Sequence, residues 1–392
     1  MTFASTPLSY CTNVHAGVTA EAVLAGLAEY AAPIASRFGH PLAAGLWLAD
    51  PVIKEFLSSD SLRSDLFVRL RDLGLTCHTL NAFPYGNFHS DRVKEQVYLP
   101  DWSQEKRREY TLACASVLSR LLPDGVEGSI STVPLGFKTL TAEPDFRERC
   151  CFQLVRTAIG LGELWRKSRS LIRLAIEPEP CCVLETTAET IEFLHYLRKQ
   201  CRSKVELDAV KEHIGVCFDV CHQSVEFEDV AASIRSLAEA DIRINKVHIT
   251  NAIEVPQPGQ NAEALAALGR YVEPRYLHQT FGRTASGTIV RQVDLDQALC
   301  ESPPAEFRDA ACWRVHFHVP VDKETLGALK TTRPDLLRAL AAVEQLEYAP
   351  HLEVETYTWE VLPDGGRPNL VEGFSRELAA TRNMLDDLRN GK

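Results

Sequence analysis

The chain has 392 residues, 45% of them hydrophobic and 24% charged, with 21 glycines and 21 prolines. Such a composition excludes a disordered, collagen-like or fibrous chain, and the length fits two domains of roughly 100–200 residues or one large α/β barrel with insertions. The 42 basic and 53 acidic residues leave a formal charge of −11. No Lys/Arg block supplies the basic face that tracks phosphates, so nucleic acid is not an expected partner.

The first apolar run, 8–13, reads as a strand, and 20–37 as a helix with Thr19 as its N-cap. A strand at 43–48 precedes a helix over 51–73, and 75–81 reads as the third strand. The polar, aromatic stretch 82–103 is too long for a simple connection and is expected to be an insertion. A helix over 104–122 leads to a strand at 128–133, and a long helix spans 143–168. Then follow a strand at 171–177, a helix starting near Thr187, and strands at 214–219 and 246–250 separated by a helix over 227–240. The last strand is expected at 352–356 and the last helix at 371–389. The stretch 251–350 is much longer than one crossover and is expected to be a second insertion.

About eight alternating β–α units with apolar, β-branched strands mean a parallel sheet covered by helices. A doubly wound dinucleotide-binding sheet would carry GxGxxG after its first strand, where this chain has Cys11-Thr12-Asn13-Val14-His15. The expected fold is therefore a single α/β (β/α)8 TIM barrel over 1–392, with long loops over its C-terminal face.

No segment reaches the ~18 consecutive apolar residues of a membrane span, and residues 1–10 lack the pattern of a secretory signal. The 12 cysteines include adjacent pairs, Cys150 with Cys151 and Cys181 with Cys182, but no CxxC. Buried free thiols in a reducing cytoplasm are the expectation. An oligomer is compatible with the sequence.

In a (β/α)8 barrel, function lies at the C-terminal ends of the strands. Those ends carry Asn13, His15, Asn81, Glu177, Asp219, His222, His248 and Glu355. Glu177, Asp219, His248 and Glu355 form a candidate ligand set for Mn²⁺, Mg²⁺, Co²⁺ or Zn²⁺, with the oxygen excess leaning toward the first three. Side chains alternate along a strand, so Glu179 and Glu353 remain alternatives to Glu177 and Glu355. Cys221, beside the site, is either a nucleophile or a packed thiol. In the 251–350 stretch, His278, His316 and His318 are further candidates. His316 and His318 share one strand face, as substrate or second-metal ligands or as scaffold. Tyr85, His89, Tyr98 and Trp102 suggest an aromatic wall over the barrel mouth.

Ile176-Glu177-Pro178, Phe218-Asp219-Val220-Cys221-His222, Val247-His248 and Glu355-Thr356-Tyr357 resemble the metal-site strands of xylose-isomerase-like TIM barrels, in particular the ketose 3-epimerases. This likeness covers the second half of the chain; the first half matches in architecture. A narrower resemblance runs almost end to end. Tyr10–His15, Asn81–His89, Val97–Trp102, Tyr276–Thr280, His316–Pro320 and Glu353–Trp359 are similar to blocks of EboE-type proteins, labelled metabolite traffic proteins. That resemblance implies the fold and a pathway rather than a reaction.

Together these features lead to an expected metal-dependent isomerase or epimerase of a sugar- or cyclitol-like polyol. Glu177 and Glu355 would move protons, and His222 would donate to a substrate oxygen. Asn13, His15, Asn81, His89, His278, His316 and His318 would bind substrate. A metal-dependent phosphoesterase of AP-endonuclease type acting on a small substrate, and a non-catalytic carrier of a metabolite, are the alternatives.

Overall fold

The computed structural model describes residues 6–363 and 367–391. Eight parallel strands close on themselves: β1 (Leu8–Cys11), β2 (Leu42–Trp47), β3 (Leu75–Thr76 and Thr79–Asn81), β4 (Gly128–Thr132), β5 (Ile172–Ile176), β6 (Ile214–Asp219), β7 (Ile244–Ile249) and β8 (His351–Val354). Around the ring the order is β1-β8-β7-β6-β5-β4-β3-β2, and pairing of β2 with β1 completes it. The fold is thus a (β/α)8 barrel.

Local chemistry explains most boundaries. Thr19 caps its helix by accepting from the Ala22 amide, and Gly39, at φ 69°, ends the same helical stretch. That stretch contains one π-type turn, Leu27–Ala31. The helix expected over 51–73 is two helices, Asp50–Ser58 and Asp60–Asp72, because Ser59 is extended and caps the second one. A helix not expected, Lys204–His213, is capped by Ser203. Thr186 and Glu189 form a reciprocal capping box on Thr187–Gln200.

The 82–103 stretch is bound to the barrel by the buried Arg107. Its guanidinium donates to the carbonyls of Pro100 (2.6 Å), Ala82 (2.8 Å) and Phe83 (3.0 Å). Trp47 Nε1 donates to Pro84 O at 3.0 Å.

After β7 the chain builds a second, antiparallel sheet, in the order Ile289–Gln292, Thr280–Arg283, Cys312–Val319, Asn251–Pro256, Leu329–Thr331, Thr325–Leu326. It has its own apolar core, including Ile253, Val255, Trp313, Val315 and Phe317. The 251–350 stretch is not insertion throughout. Its helix Arg333–Glu344 buries Leu336, Ala339, Leu340 and Val343 in the main barrel core and is the barrel's own crossover helix. Among the described residues, no helix is long and apolar enough to cross a membrane. All twelve cysteines are free, and nine of them are buried.

Candidate metal centre and cavity

Strand register brings the four expected ligands together. Asp219 on β6 pairs across to His248 on β7, and His248 to Glu353 on β8, with Glu355 just beyond the end of β8. Glu177 follows β5, its amide bonded to Thr132 O. One ligand atom from each of Glu177, Asp219, His248 and Glu355 lies within 4.8 Å of the others, and all four residues are buried. His248 is the hub. Its Nδ1 stands 2.8 Å from Glu177 Oε1, 3.0 Å from Glu355 Oε2 and 3.6 Å from Asp219 Oδ2.

The other oxygens show how each carboxylate is aimed. Asp219 Oδ1 accepts from Thr250 Oγ1 (2.8 Å) and the His222 amide (3.0 Å), while Oδ2 has no partner. Glu355 Oε1 accepts the side-chain amides of Asn13 (2.8 Å) and Asn81 (2.6 Å). Glu177 Oε2 is buried and unpartnered. Unpaired carboxylate oxygens in a dry interior are costly. Three carboxylates around one imidazole, with orphaned oxygens aimed inward, fit a divalent cation of the Mn²⁺, Mg²⁺, Co²⁺ or Zn²⁺ kind.

The electrostatics divide the carboxylates. Burial pushes Glu177 up to about 7, against the pull of His248. Burial alone would raise Asp219 too, but His222, His318 and His248 hold it well below the usual carboxylate range. Glu355 is likewise held low by His248 and His318 despite burial. Burial would lower His248, yet Cys217, Glu177 and Glu355 push it well above an ordinary imidazole.

Of the alternatives, Glu353 points into the barrel and pairs with Lys246, so Glu355 is the member that faces the cavity. Glu177 and Glu179 both line it. Glu179 accepts from Tyr98 OH at 2.7 Å and keeps one oxygen unpartnered; burial raises it well above the carboxylate range. The sequence signal for Glu179 was its place two residues after Glu177, on the same strand face. Thr250, two residues after His248, was missed for want of any charge.

The cavity is also lined by Asn13, Asn81, His222, His316, His318 and Tyr357, and on its outer side by Phe83, Phe88, Val93, Val97 and Leu277. His316 and His318 reach it from the second sheet. Three of the expected substrate ligands do not line it. His15 packs its ring against Tyr10 and Tyr30. His89 donates to Asn13 O at 2.8 Å and so sits behind the asparagine. His278 is taken up by His316 O (2.9 Å) and Glu273 (2.7 Å), and it stacks on Phe317.

His222 needs a second correction. Its Nδ1 proton goes to Pro178 O at 3.0 Å, and burial lowers its pKa to about 4. Nε2 therefore carries a lone pair and accepts a hydrogen bond instead of donating one. His318 Nδ1 donates to Glu355 O at 2.7 Å, and its Nε2 lies 3.2 Å from His316 Nε2. Asp219, His222 and His318 form a further group with ligand spacing. Cys221 is fully buried among Val225, Ala252 and Phe281, with its thiol pushed up by burial, which makes it a packed thiol.

No family model and no curated protein matches the chain. Solved structures do. L-ribulose 3-epimerase is 14% identical, with a TM-score of 0.54 over 98% of this chain and 96% of that one. A D-tagatose 3-epimerase-like protein is 11% identical, with a TM-score of 0.51 over 100% and 99%. At these identities the likeness shows the fold alone, a (β/α)8 barrel.

Proposed function

We propose that the chain is a divalent-metal-dependent isomerase or epimerase of a small sugar- or cyclitol-like polyol, and that this reaction belongs to an ebo-type metabolite pathway, as the resemblance of its sequence blocks to EboE-type proteins implies. The observation that carries the proposal is the convergence of Glu177, Asp219, His248 and Glu355 beneath one cavity, with buried oxygens left unpartnered. A divalent cation held there supplies electrophilic polarisation of a substrate carbonyl.

The chain's own groups do the rest. Glu177 and Glu355 come from strands three places apart in the ring of eight, so they approach a bound carbon from different sides. Their environments push them apart, Glu177 up to about 7 and Glu355 down. Such a split assigns one as acid and the other as base. His222 Nε2 accepts from a substrate hydroxyl, and Asn13 and Asn81 hold Glu355 in its orientation.

The test is exchange of the proton beside the carbonyl in heavy water, with a panel of ketoses and keto-cyclitols and added Mn²⁺. Glu177→Gln should lower exchange by about 10²–10⁴-fold. Undiminished metal-dependent exchange in that variant refutes the assignment. A second reading, a metal-dependent hydrolase of a small phosphoester, is favoured by the additional ligand group at Asp219, His222 and His318. Release of phosphate from small phosphoesters, lost in His318→Ala, would select it.

A further inference from the structure

Branched apolar side chains ordinarily fill the interior layers of a (β/α)8 barrel. Directly beneath this candidate metal centre the interior instead holds an ion pair. Lys246 Nζ lies 2.6 Å from Glu353 Oε1, with both side chains fully buried. Glu353 Oε2 accepts from Ser9 Oγ at 3.0 Å, and Lys246 reaches Ser131 Oγ at 3.3 Å. Room for the carboxylate comes from Gly45 on β2, where a Cβ would stand 1.5 Å from Glu353 Oε2.

Desolvation offsets most of what a buried pair gains, and an apolar filling of equal volume is often as stable. Stability alone therefore gives no reason for charges here, but their neighbour does. Glu353 is the register partner of His248 across β8 and β7. His248 turns Nδ1 toward Glu177, Asp219 and Glu355, and its buried Nε2, which makes no hydrogen bond, has Glu353 Oε1 3.4 Å away. An imidazole that ligates through one nitrogen carries its proton on the other, and a carboxylate accepting that proton fixes both tautomer and ring angle.

We propose that Glu353, seated by Lys246, is a positioning residue: with a cation bound it would accept the Nε2 proton of His248 and so leave Nδ1 free to ligate that cation together with the Glu177, Asp219 and Glu355 oxygens. The proposal rests on the metal-centre reading above. It assigns Glu353 to the support of the site and not to the substrate.

The test uses the full chain and Mn²⁺ binding by calorimetry. Lys246→Met combined with Glu353→Leu removes both charges at once, leaving neither unpaired, and removes the acceptor. Lys246→Met combined with Glu353→Gln also removes both charges but keeps an acceptor oxygen. The Leu pair should bind Mn²⁺ about 10–100-fold more weakly than wild type. The Gln pair should recover most of that loss, which a purely structural role would not produce. Equal affinity of the two pairs overturns the proposal.

A second measurement needs no variant. Nitrogen NMR of the Zn²⁺-loaded wild type should place the His248 proton on Nε2 and the metal on Nδ1. The reverse assignment overturns the proposal whether or not the variants fold. Failure of the wild type to bind any divalent cation would instead sink the metal-centre reading, and this proposal with it.

Discussion

Asn13, in the turn after β1, and Asn81, at the end of β3, donate to one and the same oxygen of Glu355. The doubly bonded oxygen leaves the other, Oε2, facing His248. Hydrogen bonds to a charged group contribute about 1.5–3 kcal/mol. Asn81→Leu should therefore lower stability by about 2 kcal/mol in urea denaturation and weaken Mn²⁺ binding about tenfold in calorimetry. Unchanged metal affinity would mean that Glu355 is oriented by other contacts.

Divalent cations should stabilise the fold by mass action. Chelator-treated protein should gain about 2.7 kcal/mol when Mn²⁺ reaches a hundred times its Kd, visible as a rise in Tm. Asp219→Asn keeps an acceptor for Thr250 and the His222 amide but loses the charge at Oδ2. That variant should fold and lose the rise, and a full rise would place the cation elsewhere.

Deep in the barrel, the rings of His78 and His351 meet at 60° with centroids 4.5 Å apart. Burial lowers His78 to about 4 and His351 well below its ordinary value. The folded state keeps these rings neutral while the unfolded chain takes up protons below about 6.5. The unfolded state thus binds more protons between pH 6.5 and 4, so their contribution is present above that window and is lost as pH falls through it. His78→Gln should flatten the slope by one proton, about 1.4 kcal/mol per pH unit. Urea denaturation at several pH values checks this, and an unchanged slope contradicts it.

Lys94 fastens the 82–103 stretch to the second sheet. Its ammonium donates to Tyr276 O (2.7 Å), Glu273 O (3.2 Å) and Asp294 (2.6 Å), and its backbone amide to Arg275 O. Lys94→Met leaves those acceptors without their donor, which costs about 1–3 kcal/mol. Limited proteolysis should then cut within 86–96 much faster than in wild type, and a resistant variant would show that the stretch is held by its aromatic packing alone.

The barrel was legible because strand burial and helix periodicity are local signals. Thr19 announces its helix, and the apolar run ending in Asp219 announces a strand whose last residue faces the mouth. Breaks set by one residue were less legible: Ser59 divides a helix that hydrophobic spacing alone would carry through. The charged interior was legible only in part. Alternation put Glu353 on the inward face as the alternative to Glu355, but nothing local marked Lys246 as its buried partner, which only barrel closure brings to meet it. For the histidines, residue type announced chemistry but not direction. His316 and His318 reach the cavity, whereas His15, His89 and His278 spend their rings on packing or on backbone carbonyls.

The second sheet is bolted to the barrel through the site itself. His318 donates to Glu355 O, and Gln279 donates to Pro180 O at 3.1 Å while its oxygen takes the Nδ1 proton of His316. A roof that shares its hydrogen bonds with the cavity wall cannot swing aside without dismantling that wall. If the cavity is to open, the 82–103 stretch is the cover that can move, and the Lys94 bonds to Tyr276, Glu273, Asp294 and Arg275 are what its movement would break.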